Sequence, residues 1–397
     1  MLFRILILLF VLLIVPDAYI YGMYVRRWTK RWGLRALVFL PSVLMLVYLL
    51  CVLGQDDMHV EHQTMVGRFM IIFLLFTIPR ILFTIFDALG WLFFRKIERC
   101  RRIMRIVAMT LSLFAVILLC YGYLHGRSRF VVHQQTYYFR TLPKQFDGYR
   151  IALFSDLHVG TFADGHQRDV ETIVNLINAQ QCDAILFAGD LVNYETQELD
   201  GFKDMLRKLK APDGVFSIMG NHDYSIYMRV PESVKQAEIR ELVRREQSYG
   251  WTLLLNDHRV LRRGKDSIAI IGVENDGRPP FPSLGDLTKA TRGLKNVMTP
   301  NKTNYHTFSI LLSHDPTHWR RNVIPETNID LTLSGHTHAG QFKVFGWSPV
   351  AFVYDEWSGT YGEGAQLLNV SDGVGQVMFP FRYGAWPEVN VITLKRK

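Results

Sequence analysis

The chain has 397 residues, of which 49% are hydrophobic and 20% charged, and its formal net charge is +9. This composition excludes a disordered polar chain and a fibrous repeat, and the length allows two or three folding units. Residues 1–126 carry 14 Lys+Arg against 6 Asp+Glu, a net +8, whereas residues 127–397 carry 31 against 30, a net +1. The basic excess belongs to the N-terminal third, so we expect no nucleic-acid partner for the nearly neutral remainder.

Four apolar stretches mark residues 1–126. Each has about the 20 residues that a helix needs to cross the hydrocarbon core of a bilayer. A cleaved signal peptide would account for the first stretch alone. The sequence therefore predicts a multi-pass transmembrane domain of four helices over residues 1–126, in the cell (inner) membrane, and a second domain over residues 127–397. The stretches are Leu2–Tyr24, Leu34–Leu53, Phe69–Phe94 and Ile106–Leu124.

Basic residues are concentrated in two of the three links between these stretches. The link between the second and third stretches is instead acidic, with Asp56, Asp57 and Glu61. Cytoplasmic links carry the excess of Lys and Arg in membrane proteins, so the two basic links predict an extracytoplasmic second domain. The eleven basic residues are Arg26, Arg27, Lys30, Arg31 and Arg35 after the first stretch, and Arg95, Lys96, Arg99, Arg101, Arg102 and Arg105 after the third.

Two charged residues, Arg80 and Asp87, lie inside the third stretch. They are seven residues apart, about two helical turns, so both can lie on one face of a helix. Charged residues within a membrane either serve function or make contacts between helices, and we expect contacts here. Of the four cysteines only Cys182 lies in the second domain, which therefore has no disulfide pair of its own.

The second domain alternates short β-rich runs with polar helical stretches, a pattern typical of an α/β fold. Five predicted strands end close to an Asp, Asn or His, at the carboxyl edge where open α/β sheets bind ligands. The strands with their following polar residues are Arg150–Ser155 with Asp156 and His158, Asp183–Ala188 with Asp190, Val215–Met219 with Asn221, His222 and Asp223, Phe308–Ser313 with His314, and Leu331–Ser334 with His336 and His338.

These strand-end side chains are typical metal ligands. Carboxylate and amide oxygens and imidazole nitrogens suit Mn, Fe or Zn ions, and the set lacks the thiolates of a structural zinc site. Residues i and i+2 of an extended segment project to the same side, so Asp156 and His158 can bind one ion together, and so can His336 and His338. Two metals about 3.5–4 Å apart commonly serve phosphate ester hydrolysis.

The ordered motifs Asp-x-His, Gly-Asp, Gly-Asn-His-Asp, Ser-His and Gly-His-Thr-His resemble those of the calcineurin-like metallophosphoesterase superfamily. The resemblance covers residues 128–397. The sequence around Ser155–Gly160, Gly335–Gln341 and Pro380–Arg382 is similar to that of the membrane-anchored bacterial branch of the superfamily. It implies an α/β fold, an αββα sandwich of two mixed sheets. It also implies a phosphoesterase with two divalent or trivalent metal ions (Mn, Fe or Zn) and a bridging hydroxide as nucleophile.

The resemblance further implies a role for each motif residue. His222 is expected to face the substrate, stabilise charge on the phosphoryl oxygens and protonate the leaving oxygen. Asp223 is expected to orient His222. The ligands are expected to be Asp156, His158 and His338 for one metal, Asn221, His314 and His336 for the other, and Asp190 as the bridge.

Two later features each have two interpretations. Arg382 can bind a substrate phosphate through its planar guanidinium, or it can pair with a surface acid. The stretch Lys343–Glu363 is rich in aromatic residues, which favours a buried meander, with contact to a lipid surface or an amphiphilic substrate as the alternative.

Anchoring in a membrane predicts a phosphorylated small-molecule or lipid-linked substrate, because tethering raises the effective concentration of substrates at the bilayer. One alternative is an enzyme similar to the UDP-diacylglucosamine pyrophosphatase of lipid A synthesis, although its cytoplasmic substrate disagrees with the predicted orientation. The other is a non-enzymatic membrane scaffold or sensor. A pure binding module would have no need of an intact ligand set that includes His222.

Overall fold

The structure is a computed structural model that describes residues 2–54, 60–163, 165–298 and 306–397. The chain divides into two units. The N-terminal unit comprises Met1–Asp57, Glu61–His125 and the later segment Met378–Phe381. The C-terminal unit comprises Met58–Val60, Gly126–Val377 and Arg382–Lys397.

The described part of the N-terminal unit is helical and apolar. Three helical segments, Ile7–Trp28, His62–Phe93 and Glu98–Ser128, are long and apolar enough to cross a membrane. This confirms the prediction of an N-terminal transmembrane domain. Its helices are α1 (Leu2–Ile20), α2 (Arg26–Trp28), α3 (Trp32–Ala36), α4 (Leu40–Leu53), α5 (Val60–Phe93) and α6 (Glu98–Leu124).

The second predicted stretch, Leu34–Leu53, is divided between α3 and α4 in the structure. Helix α4 has 14 residues, fewer than the about 20 that a full crossing needs. Pro41 lies in the first turn of α4, where its missing N–H costs nothing, and it would break a helix that ran through from Leu34. The acidic link residues Asp56 and Asp57 lie outside the described residues.

The charged residues inside the membrane helices pair between helices. Arg80 on α5 forms an ion pair with Asp17 on α1. Arg80 and Asp87, both on α5, thus have separate partners, and each connects α5 to another helix, which is the structural role expected from the sequence. Asp87 accepts hydrogen bonds from the hydroxyls of Tyr19 and Tyr24, at 2.8 and 2.6 Å, and from Nε of Arg105 on α6, at 3.2 Å.

Two six-stranded mixed sheets form the frame of the C-terminal unit. The strand order is β1-β12-β2-β3-β4-β5 in the first sheet and β10-β11-β9-β8-β7-β6 in the second. Strands β2 to β5 are parallel to one another, as are β7, β8, β9 and β11. The strands are β1 (Val131–Phe139), β2 (Arg150–Phe154), β3 (Ala184–Phe187), β4 (Val215–Ser217), β5 (Thr252–Leu253), β6 (Asp257–Arg263), β7 (Asp266–Gly272), β8 (Ser309–Leu312), β9 (Leu331–Ser334), β10 (Gly359–Glu363), β11 (Gln366–Val370) and β12 (Glu388–Arg396).

The two sheets pack face to face, and helices cover their outer faces. Ile151 and Leu153 of β2 share one buried cluster with Ile310 of β8 and Leu333 of β9, so the middle of the sandwich is apolar. The unit therefore has the αββα architecture that the sequence predicts. Its helices are α7 (Gln167–Ala179), α8 (Lys203–Leu206), α9 (Glu232–Ser248), α10 (Leu287–Ala290) and α11 (Ile324–Glu326).

Helix α7 shows why the outer layers form. Its buried residues recur at positions i, i+3, i+4 and i+7, which place them on one face of a helix. They pack against the first sheet in a second buried cluster. The opposite face is polar and faces solvent. The buried residues are Val170, Ile173, Val174 and Ile177.

Candidate metal centre

The loops that follow five parallel strands bring the predicted ligands together. These loops leave β2, β3 and β4 of the first sheet and β8 and β9 of the second. Contacts between the loops join the two sheets: the N–H of His336 donates to Oδ1 of Asp156 at 2.9 Å, and Nδ1 of His314 lies 2.7 Å from the carbonyl of Ala188. The centre thus lies where the carboxyl ends of both sheets meet.

Most of the predicted ligands have an unusual backbone conformation. A positive φ is uncommon for residues other than glycine and is frequent at functional sites. Five of the seven ligands have one, and it turns their side chains away from the direction that an extended strand would give them. The φ angles are 54° at Asp156, 46° at His158, 62° at Asp190, 76° at His336 and 50° at His338.

The first ligand group comprises Asp156, His158 and His338, whose ligand atoms all lie within 4.8 Å of one another. Nε2 of His158 lies 3.1 Å from Nε2 of His338. Nε2 of His338 in turn lies 3.3 Å from Oδ1 of Asp156. All three side chains are buried, so their donor atoms converge on one point inside the protein.

The second ligand group comprises Asp190, His314 and His336. His336 and His338 thus lie in different groups, which corrects the expectation that an extended segment lets them bind one ion together. Nε2 of His314 lies 3.1 Å from Oδ2 of Asp190. Asn221 joins this group, because its Oδ1 lies 2.8 Å from Nδ1 of His336. The same Oδ2 of Asp190 lies 3.5 Å from Nε2 of His158, a member of the first group. Asp190 therefore lies between the two groups, the position required of a bridging ligand.

The chemistry of these residues fits metal ions. Burial raises the pKa of Asp156 to about 6 and lowers that of His158 to about 3, so burial favours the neutral form of both groups. Burial also opposes a charged His314, but the Asp190 and Asp156 carboxylates outweigh it and raise its pKa to about 10. Facing ring nitrogens beside carboxylates are satisfied better by a cation than by protons.

Glycines allow the loops to approach the two acidic ligands closely. A Cβ at Gly220 would collide with the carboxylate of Asp190. A Cβ at Gly335 would collide with that of Asp156. Only glycine leaves room for these carboxylates at the two positions.

His222 lies beside both ligand groups, with its ring half-buried. Its Nδ1 is 2.7 Å from the main-chain carbonyl of Asn193, so this nitrogen carries the proton of the neutral ring. Its main-chain N–H donates to Oδ1 of Asp190 at 2.9 Å. Burial lowers the pKa of His222. The hydrogen bond from Nδ1 thus fixes the ring, and Nε2 remains available to contact a substrate.

Both parts of the chain match models of protein families. Residues 149–340 match the model described as "Calcineurin-like phosphoesterase". Residues 3–127 match the one described as "Probable Calcineurin-like phosphoesterase, transmembrane domain". The "Uncharacterized metallophosphoesterase YkuE" of Bacillus subtilis is 30% identical over 262 residues, which are 64% of this chain and 82% of that relative. The chain belongs to the calcineurin-like metallophosphoesterase superfamily. This confirms the resemblance drawn from the motifs.

Similar members of the superfamily occur in bacteria and in animals. A "Transmembrane protein with metallophosphoesterase domain" of Danio rerio is 28% identical, over 64% of this chain and 55% of that relative. An "Uncharacterized metallophosphoesterase" of Aquifex aeolicus is also 28% identical, over 67% of this chain and 95% of that relative. The name of the Danio rerio relative combines a transmembrane region with a metallophosphoesterase domain, the two parts that this chain also has.

Asp223 has a different partner from the one predicted. Its carboxyl group does not orient His222, a role that the carbonyl of Asn193 fulfils. The buried carboxyl instead accepts hydrogen bonds from four main-chain N–H groups. Three belong to the loop that carries Asp190, and the fourth belongs to Gly220. This corrects the expectation: Asp223 holds the bridging loop in place.

Arg382 is also used differently from the prediction. Its side chain is fully buried, and all five of its N–H groups are directed at protein atoms. They contact the carbonyls of Asp372, Gly375 and Ala385, and Nη2 lies 3.0 Å from Nδ1 of His338. No donor remains for a substrate phosphate. This corrects the expectation that Arg382 binds substrate, because it supports the ring of a ligand instead.

The sequence did not predict two aromatic site residues, Tyr227 and Tyr354, which lie beside the second ligand group. The ring of Tyr227 lies 4.5 Å from that of His222, and the Tyr227 hydroxyl accepts a hydrogen bond from Asn221 at 2.9 Å. The hydroxyl of Tyr354 lies 2.9 Å from Nε2 of His336. Tyr354 belongs to the aromatic stretch Lys343–Glu363, and this stretch is the only sequence signal that could have indicated it as a site residue. Tyr227 lies outside every motif.

Proposed function

We propose that the chain is a metal-dependent hydrolase that cleaves a phosphoester or pyrophosphate bond at a dinuclear metal centre. The observation that carries this proposal is the position of Asp190, whose one carboxylate lies between two buried ligand groups. Membership of the metallophosphoesterase superfamily supports the same reaction class. The proposal needs two metal ions, and the nature of the ligands is compatible with Mn, Fe or Zn.

The ligands divide between the two metals as the geometry groups them. When bound, the metals would polarise a phosphoryl oxygen and make water available as a nucleophile near neutral pH. The protein holds the ligands for this chemistry, with Asp190 as the shared one. One metal would be held by Asp156, His158 and His338, and the other by Asn221, His314 and His336.

His222 is proposed as the residue that acts on the substrate itself. With Nδ1 donating to the carbonyl of Asn193, Nε2 of the neutral ring is free to take up a proton from water and to pass it to the leaving oxygen. The same contact fixes the plane of the ring, so the proton would be delivered from a defined position. The ring of Tyr227 packs against that of His222, with 4.5 Å between their centres, and restricts its movement.

The substrate is proposed to be a phosphorylated compound held at the bilayer, such as a lipid-linked phosphate or an intermediate of the cell envelope. The membrane helices support this, because they confine the C-terminal unit to the neighbourhood of such substrates. A soluble substrate would gain nothing from that confinement.

The C-terminal unit is proposed to be extracytoplasmic, in the cell membrane. This orientation takes α3 and α4 together as the second crossing. The eleven basic residues that follow the first and third apolar stretches then lie on one side of the membrane and support it. A phosphatase reporter fused after Lys397 should be active, and a green fluorescent reporter at the same position should be dark. A fluorescent fusion with an inactive phosphatase would reverse the orientation and favour the alternative with a cytoplasmic nucleotide-linked substrate.

The test of the enzymatic proposal is an activity assay of the full-length protein in detergent with added Mn²⁺. Soluble phosphomonoesters, phosphodiesters and a panel of lipid phosphates should include at least one substrate that wild type turns over. Asp190→Asn and His222→Gln should each lower that turnover at least about 100-fold. His166→Gln, at a partly exposed histidine that belongs to neither ligand group, is the matched control and should keep it. Full activity of both site variants would refute the assignment.

A further inference from the structure

The segment Phe345–Val353, called the aromatic loop below, exposes four large apolar side chains. Phe345 is fully exposed, and the exposed fractions are 84% for Phe352, 67% for Val353 and 47% for Trp347. A buried meander, the interpretation favoured from the sequence, would hide these residues. Exposure of this kind is typical of a surface that binds something apolar.

The aromatic loop is held in one shape by its own contacts. Val344 and Trp347 exchange two main-chain hydrogen bonds, of 2.9 and 3.0 Å. The rings of Trp347 and Phe352 meet edge to face, 5.6 Å apart. The hydroxyl of Ser348 donates to the carbonyl of Ala339 at 2.7 Å. The apolar side chains are thus presented outward by a fixed backbone, which lowers the entropic cost of binding.

The loop is directly connected to the metal centre. Ala339, which anchors Ser348, immediately follows the ligand His338. At the other end, Val353 is followed by Tyr354, whose hydroxyl lies 2.9 Å from the ligand His336. A molecule bound by the loop would therefore lie next to the second ligand group.

The chemistry of the loop favours a lipid bilayer as its partner. The loop contains no charged residue, so it offers nothing to a charged protein surface. Phe and Trp are the residues that anchor proteins in the interface of a bilayer. A bilayer is also always in reach: the C-terminal unit begins at Gly126, two residues after α6 ends at Leu124. Two residues of extended chain span at most about 7 Å.

We propose that the aromatic loop inserts into the surface of the bilayer and that the metal centre takes its substrate from the lipid layer. The substrate class is then a phosphate ester on a lipid, with the apolar chains near the loop and the phosphate at the ligand groups. This second part rests on the hydrolase function proposed above, whereas insertion of the loop does not.

Insertion is tested with a fluorescent label on the full-length protein in phosphatidylcholine–phosphatidylglycerol nanodiscs. The four native cysteines are replaced by Ser, and Phe352→Cys or the control Leu284→Cys carries an environment-sensitive NBD group. Leu284 is 46% exposed in the same unit. Doxyl-labelled lipid should quench the label at position 352 at least about threefold more than at 284. Equal quenching would overturn insertion. Blue-shifted emission without lipid quenching would also overturn it and would indicate a protein partner or a second copy.

The substrate class is tested with the double variant Phe345→Ser/Phe352→Ser. Its kcat/KM for bis(p-nitrophenyl) phosphate should remain within about twofold of wild type, and that for phosphatidic acid or phosphatidylglycerol in nanodiscs should fall at least tenfold. The double variant Val260→Ser/Leu284→Ser is the control. A parallel loss on both substrates, or no loss on either, would overturn delivery through the loop. A wild-type protein that cleaves no phosphoester refutes the hydrolase function and leaves the labelling result standing.

Discussion

Asp223→Asn is expected to unfold the bridging loop rather than to impair a catalytic proton transfer. Oδ2 of Asp223 accepts from the N–H groups of Asp190 and Gly220, both at 2.8 Å. Oδ1 accepts from Leu191 at 2.9 Å and Val192 at 3.2 Å. An Asn side chain keeps the shape but replaces one of these oxygens with an NH₂ group. Whichever way the amide turns, two buried N–H donors lose their acceptor.

The size of the effect follows from those two donors. A buried N–H without an acceptor costs about 1–3 kcal/mol, so the pair costs about 2–6 kcal/mol. The total stability of a domain is about 5–15 kcal/mol. For a unit of this size, we expect the melting temperature to fall by roughly 4–11 °C. Because the loop carries Asp190, the Mn²⁺ retained after dialysis should fall as well.

Thermal unfolding and metal analysis of the full-length protein in detergent provide the measurement. Asp204→Asn, at an exposed carboxylate of α8, is the matched control and should change neither quantity. The two explanations for Asp223 separate cleanly. If it oriented His222, the variant would lose turnover with its melting temperature and metal content unchanged. That result would refute the loop-holding role.

Three further substitutions test other contacts. Burial raises the pKa of Glu246 from 4.5 to about 8. Between these two pH values the folded protein therefore keeps the proton of Glu246, whereas the unfolded chain has lost it. Stability should therefore fall as pH rises from about 4.5 to 8, by up to about 1.4 kcal/mol per pH unit, and Glu246→Gln should remove that slope in denaturant titrations. Arg382→Met should lower metal content and kcat while KM is kept, whereas loss of a phosphate-binding group would raise KM with metal content intact. Asp87→Leu should lower the detergent melting temperature, because it removes the shared acceptor of Tyr19, Tyr24 and Arg105; an unchanged temperature would contradict the interhelical role.

The ligand positions could be predicted because they depend on short-range rules. A buried strand ends where polar residues begin, and parallel strands bring their carboxyl ends to one edge. The predicted strand Leu331–Ser334 has the same bounds in the structure, and the predicted Arg150–Ser155 ends one residue earlier, at Phe154. The motif residues therefore had to follow at that edge.

The contacts that support His222 and Asp223 could not be predicted from motifs. They are made by main-chain carbonyl and N–H groups, which every residue carries, so no residue type marks them in the sequence. The carbonyl of Asn193 and three of the four N–H groups that bind Asp223 come from a loop about 30 residues away in sequence. Arg382 illustrates the same limit. A guanidinium can bind a phosphate or several carbonyls, and only the fold shows that its surroundings are carbonyls. The short α4 could have been predicted, because Pro41 favours a helix start at that position.

The ligands of the first group come from distant parts of the C-terminal unit, since His158 and His338 are separated by 180 residues. A metal that bound both would act as a reversible cross-link between the loops that follow β2 and β9, one from each sheet. Partly folded chains that lack either sheet have only fragments of the site, so the metal stabilises the complete fold alone. Contacts of such long range slow folding, because a long loop must close before they form. Metal supply would then raise the melting temperature of the unit, and a chelator would lower it.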